Sequence, residues 1–66
     1  QMTTKMNRAQ CVALKKIYMR TKLTDENGDK LSYLSFRRYV VPGYDCVMVP
    51  WSGMWLGIEQ DGYTHS

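Results

Sequence analysis

Residues 46–59, CVMVPWSGMWLGIE, constrain this chain more than any other stretch, because apolar residues alternate on both sides of a Ser52-Gly53 turn signal. A two-residue loop there makes a β-hairpin in which Trp51 faces Met54, Pro50 faces Trp55, Val49 faces Leu56, Met48 faces Gly57 and Val47 faces Ile58. Paired residues share a face, so Val47, Val49, Trp51, Met54, Leu56 and Ile58 form one wholly apolar side. Cys46, Met48, Pro50, Trp55, Gly57 and Glu59 form the other. A three-residue loop would split the apolar set between the faces, which disfavours it. Pro50 agrees with the two-residue register, in which its missing N–H points away from the partner strand.

The hairpin needs a cover for its apolar side, and the N-terminal third supplies one. Asn7 is a helix cap, Gln10 stands three residues on as in a capping box, and Met6 is placed to staple against Cys11. At helical spacing Cys11, Leu14, Ile17 and Tyr18 share one side with Ala13 at its edge, while Arg8, Lys15, Lys16 and Arg20 share the other. The helix is expected to end near Arg20 or Thr21.

Between helix and hairpin lie two segments of different character. Residues 24–30, TDENGDK, read as a turn closed at Asn27-Gly28, with Asp25 facing Lys30. The alternating Asp25, Asn27 and Asp29 resemble the start of a calcium loop, but Lys30 and Phe36 stand where that loop needs glycine and a bidentate glutamate, so the calcium reading fails. Residues 32–41, SYLSFRRYVV, have helical spacing, yet their aromatic and β-branched content and the following Pro42-Gly43 favour a strand. A tight turn at Pro42-Gly43 would set Val41 against Tyr44 and Phe36 against Val49. Leu34 and Phe36 would then join the apolar face, while Tyr33, Arg37 and Tyr39 would join Met48 and Trp55 on the opposite one.

The fold expected is α+β, with one N-terminal amphipathic helix packed on one face of a three-stranded antiparallel β-meander and room for a short fourth strand near residues 22–24. The 66 residues make a single small domain, with loose ends at 1–6 and 62–66. A chain of this length buries only about 60% of its unfolded surface, so a staple or a second subunit would help it. Cys11 and Cys46 could bridge, but the polar opening QMTTKM resembles no signal peptide, and two reduced thiols in a cytoplasmic compartment are the expectation. No apolar run reaches the roughly 20 residues of a membrane span.

Catalytic motifs are missing. The single histidine, His65, is the second-last residue, Glu59 and Asp61 have no cleft to separate their roles, and no glycine-rich phosphate loop occurs. Two cysteines and one histidine, widely spaced, do not spell a zinc site. The expectation is therefore no enzyme, no metal and no cofactor. Binding is favoured instead, on two surfaces that point in opposite directions. Residues 1–24 hold six basic residues and no acid, against a formal net charge of +3 for the whole chain. The basic helix face, Arg8, Lys15, Lys16 and Arg20 with Lys22, suits a nucleic acid, DNA or RNA. The aromatic sheet face, Tyr33, Arg37, Tyr39, Met48 and Trp55, suits a protein partner or self-association as a homodimer. The first expectation is thus a small basic accessory protein binding nucleic acid; the alternative is a protein-interaction module, an inhibitor or assembly factor of the viral or mobile-element type.

Overall fold

A computed structural model of the chain describes residues 4–66. Asn7 caps α1 (Arg8–Arg20) as its sequence implies: its side chain accepts from the Gln10 N–H at 2.8 Å, and the Gln10 side chain accepts from the Asn7 N–H at 3.1 Å. The same two side chains tie the helix to the sheet. Gln10 Nε2 donates to the Ile58 carbonyl at 3.1 Å, and Asn7 Nδ2 donates to the Gln60 carbonyl at 2.9 Å. Gln10 is buried, so both ends of its amide are satisfied where water does not reach.

The sheet is built around the hairpin of β2 (Cys46–Trp51) and β3 (Met54–Glu59), whose register is the one the alternation predicts, from Trp51 against Met54 to Cys46 against Glu59. Ser52 at φ 45° and Gly53 at φ 81° both take the left-handed region, the signature of a type I′ turn. Val47, Val49 and Ile58 are buried, Trp51 and Leu56 pack at the margin of the core, and Met54, near the turn, is exposed. The four strands lie in sequence order, with β1 (Val41–Pro42) and β4 (Thr64–His65) on the outer edges of the hairpin.

Of residues 32–41, expected as a strand, only Val41 enters the sheet. Ser32 caps a short helix, α2 (Tyr33–Arg37), by accepting from the Ser35 N–H, and Arg38 and Tyr39 follow in a turn. The helical spacing puts Phe36 and Val40 into the same core as Leu14, Ile17, Val47, Val49 and Ile58, and this burial outweighs the strand propensity of the segment. Leu34 turns outward and is 70% exposed. Val41 pairs with Met48, and Pro42 with Val47, through a connection in which Gly43 N–H donates to the Cys46 carbonyl and Asp45 adopts φ 61°. The expected pairings of Val41 with Tyr44 and Phe36 with Val49 do not occur.

The other departures are small. The turn after α1 bridges Thr24 with Lys30, one residue from the expected pairing, and residues 22–24 do not enter the sheet. Lys30 anchors this turn to the C-terminal end of α1, with Nζ 3.4 Å from the Tyr18 and Thr21 carbonyls and 4.7 Å from the Tyr18 ring centre. Of the ends expected to be loose, residues 1–3 lie outside the described residues, Thr4 Oγ1 donates to the Val40 carbonyl at 2.7 Å, and the C-terminal segment contributes β4. Cys11 sits on α1 and Cys46 on the far face of the sheet, and both are free thiols.

Because Gln10 serves the cap and the sheet at once, Gln10→Ala leaves the Ile58 carbonyl and the Asn7 N–H each without this partner. The substitution is expected to cost about 1–3 kcal/mol, read as a lower urea midpoint at unchanged slope.

Candidate functional site

Both helices cover the same side of the sheet. The N-terminal end of α1 is held against the β3–β4 connection by the capping box and by the close approach of Gly62, where a Cβ would lie 3.1 Å from the Ala9 carbonyl oxygen. Alongside this contact, the flank of α1 and the hairpin border an open groove of about 880 Å³. Val12 and Ala13 of α1 and Trp51 and Leu56 of the hairpin make its apolar floor, Arg8, Lys16 and Arg20 rim it along the helix, and Asp61 and Thr64 stand opposite. A second hollow of about 370 Å³ continues it past Arg20 to Lys22, Leu23 and Trp51.

The predicted basic face is therefore real as an exposed surface but divides in two. Arg8, Lys16, Arg20 and Lys22 follow the groove and its continuation, whereas Lys15 leans the other way, its Nζ 5.6 Å from the centre of the Tyr33 ring on α2. All five are exposed, and none is in an ion pair among the described residues, where the one ion pair joins His65 to Glu59. What the sequence reading passed over is the apolar component. Val12, at the edge of the groove, is 50% exposed, and Met19, outside it, is 72% exposed. Their seven-residue spacing, opposite Leu14 and Ile17, was the available signal.

The predicted aromatic patch does not form. Only Met48 and Trp55 lie on the outer face of the sheet; Tyr33 and Arg37 belong to α2 on the covered side, and Tyr39 lies in the turn that follows. Tyr33 packs edge-on against Tyr18, with ring centres 5.4 Å apart, and Arg37 Nε is buried without a hydrogen-bond partner. The cause is the helical state of residues 33–37, which replaces period two with period 3.6 and sets Tyr33 against Tyr18 of α1.

Among the described residues, no three of the His, Cys, Asp and Glu side chains come together to hold a metal, and no helix is long and apolar enough to cross a membrane. Comparison of the chain with protein-family models, with curated proteins and with solved structures finds no match.

Burial raises the Tyr33 hydroxyl above its ordinary value of 10.0; the Arg37 guanidinium opposes this and Cys11 adds to it. A raised value means that the folded state holds the proton more tightly than the unfolded one. The associated stability is complete below about pH 10 and is lost as pH climbs through the folded value. The urea midpoint is thus expected to fall between pH 9 and pH 11, and to fall less steeply in Tyr33→Phe.

Proposed function

We propose that this protein is a non-catalytic interaction module that holds an acidic, apolar-studded segment of a protein partner along the α1 groove. The observation that carries the reading is the composition of that groove: cations on the rim and an apolar floor between them. Carboxylates of the partner would meet Arg8, Lys16 and Arg20, and its apolar side chains would fill the space over Val12, Leu56 and Trp51. Exposed Met19 extends the apolar strip at the solvent side. This moves the protein-interaction surface from the sheet, where the sequence suggested it, to the helix.

Nucleic acid is the second reading, supported by the five exposed cations, Arg8, Lys15, Lys16, Arg20 and Lys22, and by the absence of ion pairing to them among the described residues. Phosphates would use the rim but give the apolar floor nothing to bury. Trp55, the more exposed tryptophan, lies on the opposite side of the sheet from these cations and could not stack bases held on the groove rim.

The two readings separate in a binding experiment with three labelled probes, each at two salt concentrations: a peptide alternating Glu and Leu, a Glu-Ser peptide of equal charge, and a 20-base-pair duplex. The proposal expects the Glu-Leu peptide to bind best and to lose about tenfold, or ~1.4 kcal/mol, in the Val12→Ser, Met19→Ser double variant. Tighter binding of the duplex, indifferent to that double variant and weakened by Lys16→Ala with Arg20→Ala, would instead support nucleic acid.

A further inference from the structure

The tip of the β2–β3 hairpin is apolar on both faces. Trp51 and Met54 project to the side of the helices, and Pro50 and Trp55, the next pair along, project to the other. The turn stands clear of the other described residues: an added Cβ at Gly53 would meet nothing within 4 Å, Met54 is 47% exposed and Trp55 is 49% exposed. The chain leaving α1 runs beside this tip. Leu23 lines a hollow of about 260 Å³ with Pro50, Trp51, Met54 and Trp55, and it also lines the hollow that Arg20 and Lys22 share with Trp51. No acidic residue occurs at 19–24 or at 47–58, and the acids of the adjoining 25–29 turn line neither hollow. The remaining acids, Asp45, Glu59 and Asp61, gather at the opposite end of the hairpin.

We infer that this tip docks the protein peripherally on an anionic lipid bilayer. A protein partner laid on either face would cover one of the two residue pairs and leave the other in water, whereas a bilayer interface takes both. From the Pro50–Trp55 pair to the turn the hairpin advances two residues, roughly 7 Å, which lies within the ~5–10 Å that interfacial apolar groups sink. The two indoles, one on each face, come to the headgroup level, where their rings are buried and their N–H groups still find acceptors. Met54 and Leu23 enter the acyl boundary, and Arg20 and Lys22 meet the lipid phosphates and carboxylates. With acids only at the far end of the hairpin and in the neighbouring turn, the charge distribution presents the tip to a negative surface. Met54 and Trp55 lie outside the α1 groove, so the inference stands apart from the peptide reading.

The test is co-sedimentation of the full chain with phosphatidylcholine vesicles, pure or containing about one third phosphatidylserine, with tryptophan emission read in parallel. At low salt the chain should sediment with the phosphatidylserine vesicles, its emission shifted to the blue and quenched by brominated acyl chains. Partition into pure phosphatidylcholine should be weaker by about tenfold or more. The Met54→Ser, Trp55→Ser double variant, which spares the core and keeps Trp51 as reporter, should lose about tenfold, and so should Arg20→Gln with Lys22→Gln. Lys5→Gln, ahead of the opposite end of α1, should leave partition unchanged, and urea midpoints check that each variant is folded. Failure to sediment with phosphatidylserine vesicles at low salt would overturn the inference. So would sedimentation without a blue shift that the Met54, Trp55 double variant leaves intact, which is adsorption of the basic helix alone. Loss of Glu-Leu peptide binding in that double variant, with the vesicles ignored by the wild type, would assign the tip to a protein partner instead.

Discussion

The left-handed pair Ser52 and Gly53 sets the parity of the β2–β3 hairpin, and every later feature of the molecule depends on that parity. With the loop at two residues, Val47, Val49 and Ile58 turn inward and become the floor on which Leu14, Ile17, Phe36 and Val40 pack. Cys46, Met48 and Trp55 turn outward by the same alternation. A slip of one residue would exchange the two sets, placing a thiol, a thioether and a glycine beneath the helices and three aliphatic side chains in water. The two tryptophans, four residues apart, show the consequence most simply: Trp51 packs against the core, and Trp55 is half exposed on the other side.

Both helices then have to share one face of a narrow sheet. The α1 helix is pinned tightly at its N-terminal end, through Asn7, Gln10 and the approach of Gly62, and at its far end through Lys30. Between these anchors Leu14 and Ile17 pack on the hairpin, and the groove runs beside that contact, along the flank of α1. The edges of the sheet are handled differently on the two sides. The edge of β2 beyond β1 presents Pro50, which has no N–H to offer a neighbouring strand. The edge of β3 is paired by β4 at Gly57 and Ile58.

How far the fold was legible follows from how local each decision is. The capping box and the hairpin register are settled within a few residues, by Asn7 with Gln10 and by Ser52-Gly53 between alternating runs, and both read directly from the chain. Residues 32–41 are not settled locally. Tyr, Phe and Val favour a strand there, Ser32 and the spacing of Phe36 and Val40 favour a helix, and the balance is tipped by burial against α1 and the hairpin, which no window of ten residues contains. Two-residue strands such as β4 leave no periodicity to read. The candidate site was half legible for the same reason. Its cations sit on one helix, whereas its floor joins Val12 to Leu56 and Trp51, residues that only tertiary packing brings together.

The hairpin parity that divides the molecule into a packed face and an open one can be measured by amide hydrogen exchange along β3. In this register the Leu56 and Ile58 N–H groups point to β2, while the Trp55 N–H points outward to the side that β4 pairs only at Gly57 and Ile58. Slow exchange is expected at Leu56 and Ile58, and exchange at Trp55 faster by orders of magnitude. Protection at Trp55 equal to that at Leu56, or the reverse order, would contradict that parity.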